Sequence, residues 1–537
     1  MTVPRSVFLP SASRRLWERI PPKRRLPLAV FASCQVVLLG WWAAFFPGLM
    51  SYDSIAYVWQ VTTDHWMDNH SVLYNSLVWL SIQTTGDLWL LTLAQTVAYA
   101  ATLAYTCVAL RDLGVRGRWS APAALALAVL PATGSLAIFI WKDAAFTVCA
   151  LLTFAVSVRL VARRLKGRQA ERDRGFYRQM ALLEVGFLGM ALFRNNSILV
   201  VLIAFPFLLY ALPQMRRWIT SLTVVTTAVY LLLQFVVYPS VGIVPPRVDQ
   251  VYAFNYADIA VVYGQDPKSF TPADLAVMEK VAPLSHWGGK GADCWDVDDT
   301  MAVPFDRTAA VKYNSQLMHI WLETIKRRPQ FVAQAHLCRS QIAWGIFAGP
   351  ASVNGATKIA QPYVPANLFG WKVWNTSIKH SPYLPVLKIR PLVGGLNSVA
   401  TWWYNLSLTP QLQWLLWRGA IWCYALYAVV LLWIRRRGQR AILGIAAVTA
   451  ALQLSVIAAN PAPLARYMLP PFYMGIFSLS LLPALFPAKR AKDGHPERNG
   501  MKAEGLSGTV AQAPSGPGGG DHLGGVVPGV PTKLPAD

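Results

Sequence analysis

Apolar residues in this chain are neither spaced three and four apart, as on one face of a soluble helix, nor alternated as in a half-buried strand. They come in runs about as long as a bilayer is thick, separated by polar loops, which is the pattern of helices that cross a membrane. Taking roughly twenty residues per span, spans read near 27–46, 88–110, 119–140, 144–162, 180–194, 197–212, 217–238, 412–434, 441–459 and 466–486. The pattern predicts an all-α integral membrane bundle of about ten transmembrane helices. The first run, Leu26–Phe46, is too long for the apolar stretch of a cleavable signal, and Pro47-Gly48 is unlike a small-residue cleavage site. It reads as the first span.

The segment 180–212 is read as two short helices broken at Arg194-Asn195-Asn196. One continuous span there would put Arg216-Arg217 and Arg435–Arg440 on the opposite side from every other basic cluster, against the positive-inside rule. Such breaks are tolerated where backbone lines a polar cavity instead of lipid. The chain then divides into a basic cytoplasmic N-terminus (1–26), a transmembrane core (27–238) with a first outer loop (47–87), an extracytoplasmic domain (239–410), C-terminal transmembrane helices (411–488) and a disordered cytoplasmic tail (489–537). Two amphipathic stretches of the first outer loop, Ile55–Thr62 and Val72–Ile82, are too short and polar to span and read as helices in the membrane interface. The outer domain is small and mainly helical, with helices expected near Pro272–Lys280 and Thr308–Ile325. The tail beyond Asp493 is rich in Gly, Pro and charge, a composition that cannot build a core.

Composition agrees with this reading. Of 537 residues 54% are hydrophobic and only 14% charged, too apolar for a soluble enzyme of this size. The 22 Trp and 20 Tyr suit a chain with many membrane–water boundaries. A net charge of +23 raises the question of nucleic acid. The basic residues instead cluster in short loops beside apolar runs: Arg14 to Arg25, Arg111 to Arg118, Arg159 to Arg178, Arg216-Arg217, Arg435 to Arg440 and Lys489 to Lys492. No soluble basic face remains for nucleic acid. Cys34, Cys107, Cys149 and Cys423 sit in apolar helices as core filler. Cys294 and Cys338 both fall in the outer domain, on the oxidising side, and are expected to form a disulfide, the alternative being two free thiols.

Ionisable residues at the outer ends of spans are the candidates for chemistry, because charge near a bilayer is costly. In Pro47-Gly-Leu-Met-Ser-Tyr52-Asp53-Ser54, Pro and Gly stop the first helix and present Asp53 at the surface. Asp53 suits a general base, and suits equally an N-cap for the helix starting near Ile55. Asp68-Asn69-His70 could orient a sugar or form an ordinary capped loop; as a metal site its ligand count is short. Lys142, with Asp143 as its partner, could hold a phosphate or form an interfacial loop. Arg194, at the proposed break with Asn195 and Asn196, offers a planar fork suited to phosphate oxygens. Arg466, in Asn460-Pro-Ala-Pro-Leu-Ala-Arg466-Tyr467, either shares an anionic ligand with Arg194 or snorkels inertly. No GxGxxG, Walker loop, HExxH or paired CxxC occurs, so nucleotide hydrolysis and classical zinc chemistry lack support.

Taken in order, these segments resemble the GT-C superfamily of polytopic membrane glycosyltransferases, in particular a poorly characterised bacterial branch. The likeness rests on Pro47–Ser54, on Trp141-Lys142-Asp143, on Arg194-Asn195-Asn196, on Trp321–Pro329, and on Arg466-Tyr467-Met-Leu-Pro470 as an Arg-Tyr-x-x-Pro motif in a late helix. It covers most of the chain apart from its first 25 or so residues and the tail. The resemblance implies a GT-C-like fold in the bacterial cytoplasmic membrane and a donor sugar on a polyprenyl phosphate. It also implies an outer glycan, lipid or protein acceptor, and a catalytic base at Asp53. Lys142, Asp143, Arg194, Asn195, Asn196, Arg466 and Tyr467 would then hold the phosphate, with Tyr52, Asp68 and His70 toward sugar or acceptor. Two departures stand out: Ser71 follows His70 where relatives often have Pro, and Ser54 follows Asp53 where a second acid is common. Divalent-metal dependence is therefore left open. The rival classes are a lipid or solute transporter, disfavoured by the lack of a visible internal repeat, and a non-catalytic envelope-assembly protein.

Overall fold

Each apolar run folds as helix. The computed structural model describes residues 20–168, 171–347 and 382–486, with only the backbone of Tyr52 and Leu384. Arg14, Arg15 and Arg19, the tail with Lys489, Arg490 and Lys492, and the middle of the 239–410 segment lie outside the described residues.

The bundle is built from α1 (Pro22–Ala44), α4 (Trp89–Asp112), α5 (Gly117–Val129) bent into α6 (Pro131–Ala137), α7 (Lys142–Leu165), α8 (Arg174–Phe193), α9 (Ile198–Ala211), α10 (Arg216–Leu232), α16 (Gly419–Arg437), α17 (Leu443–Ala458) and α18 (Leu469–Leu479). The helices α2 and α3 lie between α1 and α4, and α11 to α15 between α10 and α16; their ranges are given below. Among the described residues seven helices are long and apolar enough to cross a bilayer, and eight if the pair bent by 67° at Pro131 is one span. Two further apolar helices, α9 with the turn before it and the stretch Leu469–Leu485, are shorter than these. The chain is a multi-pass helical membrane protein. The break at Arg194-Asn195-Asn196 is present, but unequal: α8 runs a full 20 residues and α9 only 14.

Helix α7 is the centre, packed against α4, α8, α17 and α18. Asp143 in its first turn and Arg163 and Arg164 in its last complement the helix dipole. Close approach at the head of the bundle requires Gly48, where an added Cβ would stand 2.6 Å from both the Ile138 carbonyl oxygen and Thr92 Cγ2.

The first outer loop forms α2 (Tyr52–Thr62) and α3 (Val72–Thr85). They are not loose on the surface: Tyr57, Tyr74, Val78 and Ile82 make a small core with Ile140 and Leu387. The outer domain contains α11 (Ala253–Gln265), α12 (Pro272–Glu279), α13 (Asn314–Arg327) and α14 (Pro329–Arg339), where the sequence predicted two helices. Tyr256, Met278, Trp287 and Leu317 form its own core, and Cys294 and Cys338 are disulfide-bonded with Cα atoms 5.7 Å apart. The end of the 239–410 segment belongs elsewhere. Helix α15 (Gly394–Ser407) packs on α1, and Asn397 Nδ2 donates to the Ala44 carbonyl at 2.8 Å.

Candidate functional site

The distant motifs are stitched together by backbone. Leu49 bridges Phe139 in a two-residue parallel pairing, with Leu49 N–H donating to the Ile138 carbonyl at 3.0 Å and Ile140 N–H to the Leu49 carbonyl at 2.8 Å. Ser54 Oγ donates to the Ile140 carbonyl at 2.8 Å, and Trp141 Nε1 donates to Ser51 Oγ. These bonds set the start of α2 beside the start of α7, and so Asp53 beside Lys142 and Asp143. Ser51 is the N-cap of α2, reciprocally bonded with Ser54. Asp53 is therefore not the cap; it lies in the first turn, where the dipole favours a carboxylate.

A second set of bonds brings the helix break to the same place. Ser71 Oγ donates to the Leu192 carbonyl at 2.7 Å, and Asn195 Nδ2 donates to the Asp68 carbonyl at 2.8 Å. The buried Asp68 side chain also accepts from Asn195 at 3.3 Å and from Gln234. Asp68 is not among the residues lining the cavity described below; its hydrogen bonds brace the break. Asn460 anchors the late motif by donating to the Arg339 and Ala462 carbonyls, each at 2.7 Å.

The result is one cavity of about 370 Å³, lined by Asp53, His70, Lys142, Asp143, Arg194, Asn195, Asn196, Arg466 and Tyr467. Asn69 and Pro461, from two of the motifs, complete the lining with Pro246, Gln250, Val251 and Phe254, which carried no signal in the sequence because loop residues acquire a role only through tertiary contact. Tyr52 lies at the base of the same helix turn, its side chain outside the described atoms.

Arg466 Nη1 donates to Asp53 Oδ2 at 2.8 Å, and its guanidinium lies 4.6 Å from the Trp141 ring centre. Arg194 stacks 4.2 Å over Tyr467. Asp143 was expected to partner Lys142, but its carboxylate stands between the two arginines, 4.0 Å from Arg194 Nε and 3.9 Å from Arg466 Nε. Those separations exceed hydrogen-bond length. Asp143 Oδ1 and Arg466 Nε are accordingly buried without a hydrogen-bond partner among the described residues. Lys142 Nζ donates instead to His70 Nδ1 at 3.3 Å; an ammonium only donates, so this nitrogen accepts and the other carries the proton.

Burial alone would raise the Asp53 pKa, but the charges of Arg466 and Lys142 outweigh it and hold the carboxyl at about 2. Burial and then the neighbouring Lys142 push His70 down to about 3, so its ring is neutral at ordinary pH. Three cations face two carboxylates here, leaving the cavity one positive charge in excess and incompletely paired. That arrangement favours an anion. Among the described residues no three His, Cys, Asp or Glu side chains converge as a metal site.

A separate apolar groove of about 280 Å³ is lined from the same two helix ends as this cavity. Its lining includes Leu77, Leu91, Ala98, Ala145, Val148 and Phe193. Phe193 immediately precedes Arg194, and Ala145 lies one turn along α7 from Lys142, so charged cavity and apolar groove share the same two helix ends.

The chain belongs to the DUF6020 family. The DUF6020 pattern, described as a family of unknown function, matches residues 57–495. It takes in His70, Lys142, Arg194 and Arg466 and begins four residues after Asp53. No curated protein and no solved structure matches the chain.

Proposed function

We propose that this protein is a GT-C-type glycosyltransferase, moving a sugar from a polyprenyl-phosphate-linked donor to an outer acceptor such as an envelope glycan, lipid or protein. The observation that carries the reading is a net-cationic cavity and an apolar groove lined from the same two helix ends. Such a pair fits an amphiphile with an anionic head and a hydrocarbon tail. In this reading about ten helices lie in a bacterial cytoplasmic membrane, with both termini in the cytoplasm and the cavity facing outward; the arginine clusters at the far ends of α7, α10 and α16 support that orientation.

Acceptor oxygen attacks the anomeric carbon while Asp53 takes its proton. The bond from that carbon to the phosphate oxygen breaks, and the electron pair leaves with the phosphate. Lys142, Arg194 and Arg466 neutralise the charge that builds there. A carboxyl held at about 2 is always ionised but is a weak proton acceptor. Donor phosphate competing for Arg466 loosens the Asp53 pair and restores basicity when the acceptor is in place.

The test is twofold. Deleting the gene is expected to change envelope glycans and to accumulate a lipid-linked sugar, read by mass spectrometry. Purified wild-type protein is expected to bind polyprenyl monophosphate at least tenfold more tightly than Lys142→Ala or Arg194→Ala protein, on the order of one lost charge-assisted bond each. Unchanged lipid-linked pools together with equal binding would sink the reading.

A further inference from the structure

A second apolar groove, remote from the cavity, opens on the lipid-facing side of the bundle. Its floor is Leu443, Ala446 and Ala450, spaced three and four apart on one face of α17. One wall is Pro206, Phe207 and Tyr210 of α9, the other Tyr427, Val430 and Leu431 of α16. Two alanines keep the floor low while large side chains rise on both sides, which leaves about 550 Å³ between the helices. That is a ligand-sized volume. Phe207, Tyr210 and Leu431 are 41%, 63% and 57% exposed, so the groove is open along its length.

Its end is strongly basic. Tyr427, Leu431 and Arg435 follow one another at intervals of four on α16, so the groove wall runs directly into Arg435. Arg440 precedes the floor residue Leu443 by three positions, and Arg216 and Arg217 open α10 just after Tyr210. These four arginines are exposed, and among the described residues none has a carboxylate partner. Their neighbours differ: Arg436 lies 4.0 Å over the Phe486 ring, and Arg437 Nη2 donates to the Ala484 carbonyl at 2.8 Å. Charge sidedness accounts for the sign of this cluster. It does not account for an open apolar channel that terminates among its unpaired members.

We propose that this groove is a binding site for an anionic glycerophospholipid. An acyl chain lies over Leu443, Ala446 and Ala450, and the phosphodiester head is held by Arg435 and Arg440, with Arg216 and Arg217 at the rim. Charge complementarity selects an anionic head over a zwitterionic one, and the groove selects a chain over a soluble phosphate. The site is independent of the outward cavity and of any turnover there.

The experiment uses the full-length protein, delipidated in mild detergent. Affinities for phosphatidylglycerol and for phosphatidylcholine of identical chains are measured by native mass spectrometry, with unfolding temperature in detergent as the folding control. Wild-type protein is expected to prefer phosphatidylglycerol. Each arginine contributes about five-fold near an anionic surface, so Arg435→Gln/Arg440→Gln should lower phosphatidylglycerol affinity by about twenty-five-fold and abolish the preference. Ala446→Phe, which fills the floor and keeps the charges, should weaken both lipids alike. Equal binding of the two lipids by wild-type protein, or a preference surviving in the double variant, overturns the proposal. So does full binding by Ala446→Phe, which would mean that the head group alone is recognised. If the purified protein instead retains a second polypeptide over this face and no phospholipid, the groove is a protein interface and the assignment is wrong.

Discussion

Two arginine–aspartate pairs in this molecule have the same chemistry and opposite surroundings. In the outer domain Arg339 donates to Asp258, both only 1% exposed. Asp258 accepts further from Trp321 Nε1 at 3.0 Å and lies 3.1 Å from His336 Nε2. In the cavity, Arg466 and Asp53 are 17% and 23% exposed, and the adjacent Asp143 is held only at ion-pair distance by two arginines. The first pair is enclosed and its carboxylate is saturated, although Arg339 Nε and Nη1 are buried without a hydrogen-bond partner among the described residues. The second faces open space with donors and acceptors to spare. What separates them is access: a sealed pair with its carboxylate saturated stabilises a fold, whereas a pair open to a cavity beside the under-satisfied Asp143 is arranged for something that arrives.

This contrast can be broken in four ways, the largest effect first. Asp53→Asn should lower the proposed sugar transfer by about 10²–10⁴-fold, the usual contribution of a positioned base, with the unfolding temperature nearly unchanged. Undiminished transfer at normal expression would remove Asp53 from the chemistry. Arg339→Ala should cost about 3–5 kcal/mol of stability, because it strands a buried carboxylate, while Arg466→Ala should cost less, because Asp53 opens to the cavity and Asp143 keeps Arg194. Equal losses in a thermal melt would erase the distinction between the pairs.

Cys338→Ser comes next. The Cys294–Cys338 bridge spans 44 residues of the outer domain, and losing such a cross-link typically costs about 2–4 kcal/mol. Protease sensitivity should rise around α11 to α14 and not in the bundle. An unchanged melt, or nicking confined to the bundle, would contradict this.

The smallest effect is in pH. His70 is depressed to about 3, so between its unfolded value near 6.5 and about 3 the unfolded chain binds the extra proton and stability falls as pH falls. Asp53, at about 2, and Asp258, also lowered, by His336 and Arg339 against the opposing effect of burial, act differently. Their contributions are complete above the unfolded carboxyl value near 3.9 and are lost only as pH drops through the folded values. Hydrogen-exchange protection factors, taken relative to the intrinsic amide rate at each pH, should therefore fall around α2 and α3 between pH 7 and 5, while those of α11 and α14 hold until below about 4. His70→Asn should flatten the first response. An equal onset in both regions would show that the cavity histidine is not the responsive group.

The helices and the break at Arg194 were legible in the chain, because spans and breaks are local: a long apolar run has nowhere else to go. What was not legible was pairing. Lys142 and Asp143 are adjacent in sequence and were expected to be partners, yet they project from successive positions of α7, so that Lys142 meets His70 and Asp143 meets two arginines. Asp68 read equally as a site residue or as part of a capped loop, and in the fold it braces Asn195. Neighbours along a helix point about 100° apart, and only packing decides what each one faces.

The sequence by itself therefore determined the membrane class, the motif set and the signs of the charges, since these follow from hydropathy and from the cost of placing charge in lipid. Only the tertiary structure decided that five segments up to 413 positions apart share one cavity. A few backbone and hydroxyl bonds, from Leu49 to Phe139 and from Ser71 to Leu192, set that geometry. Hydrogen bonds of this kind leave almost no trace in composition, because any residue can make them with its main chain.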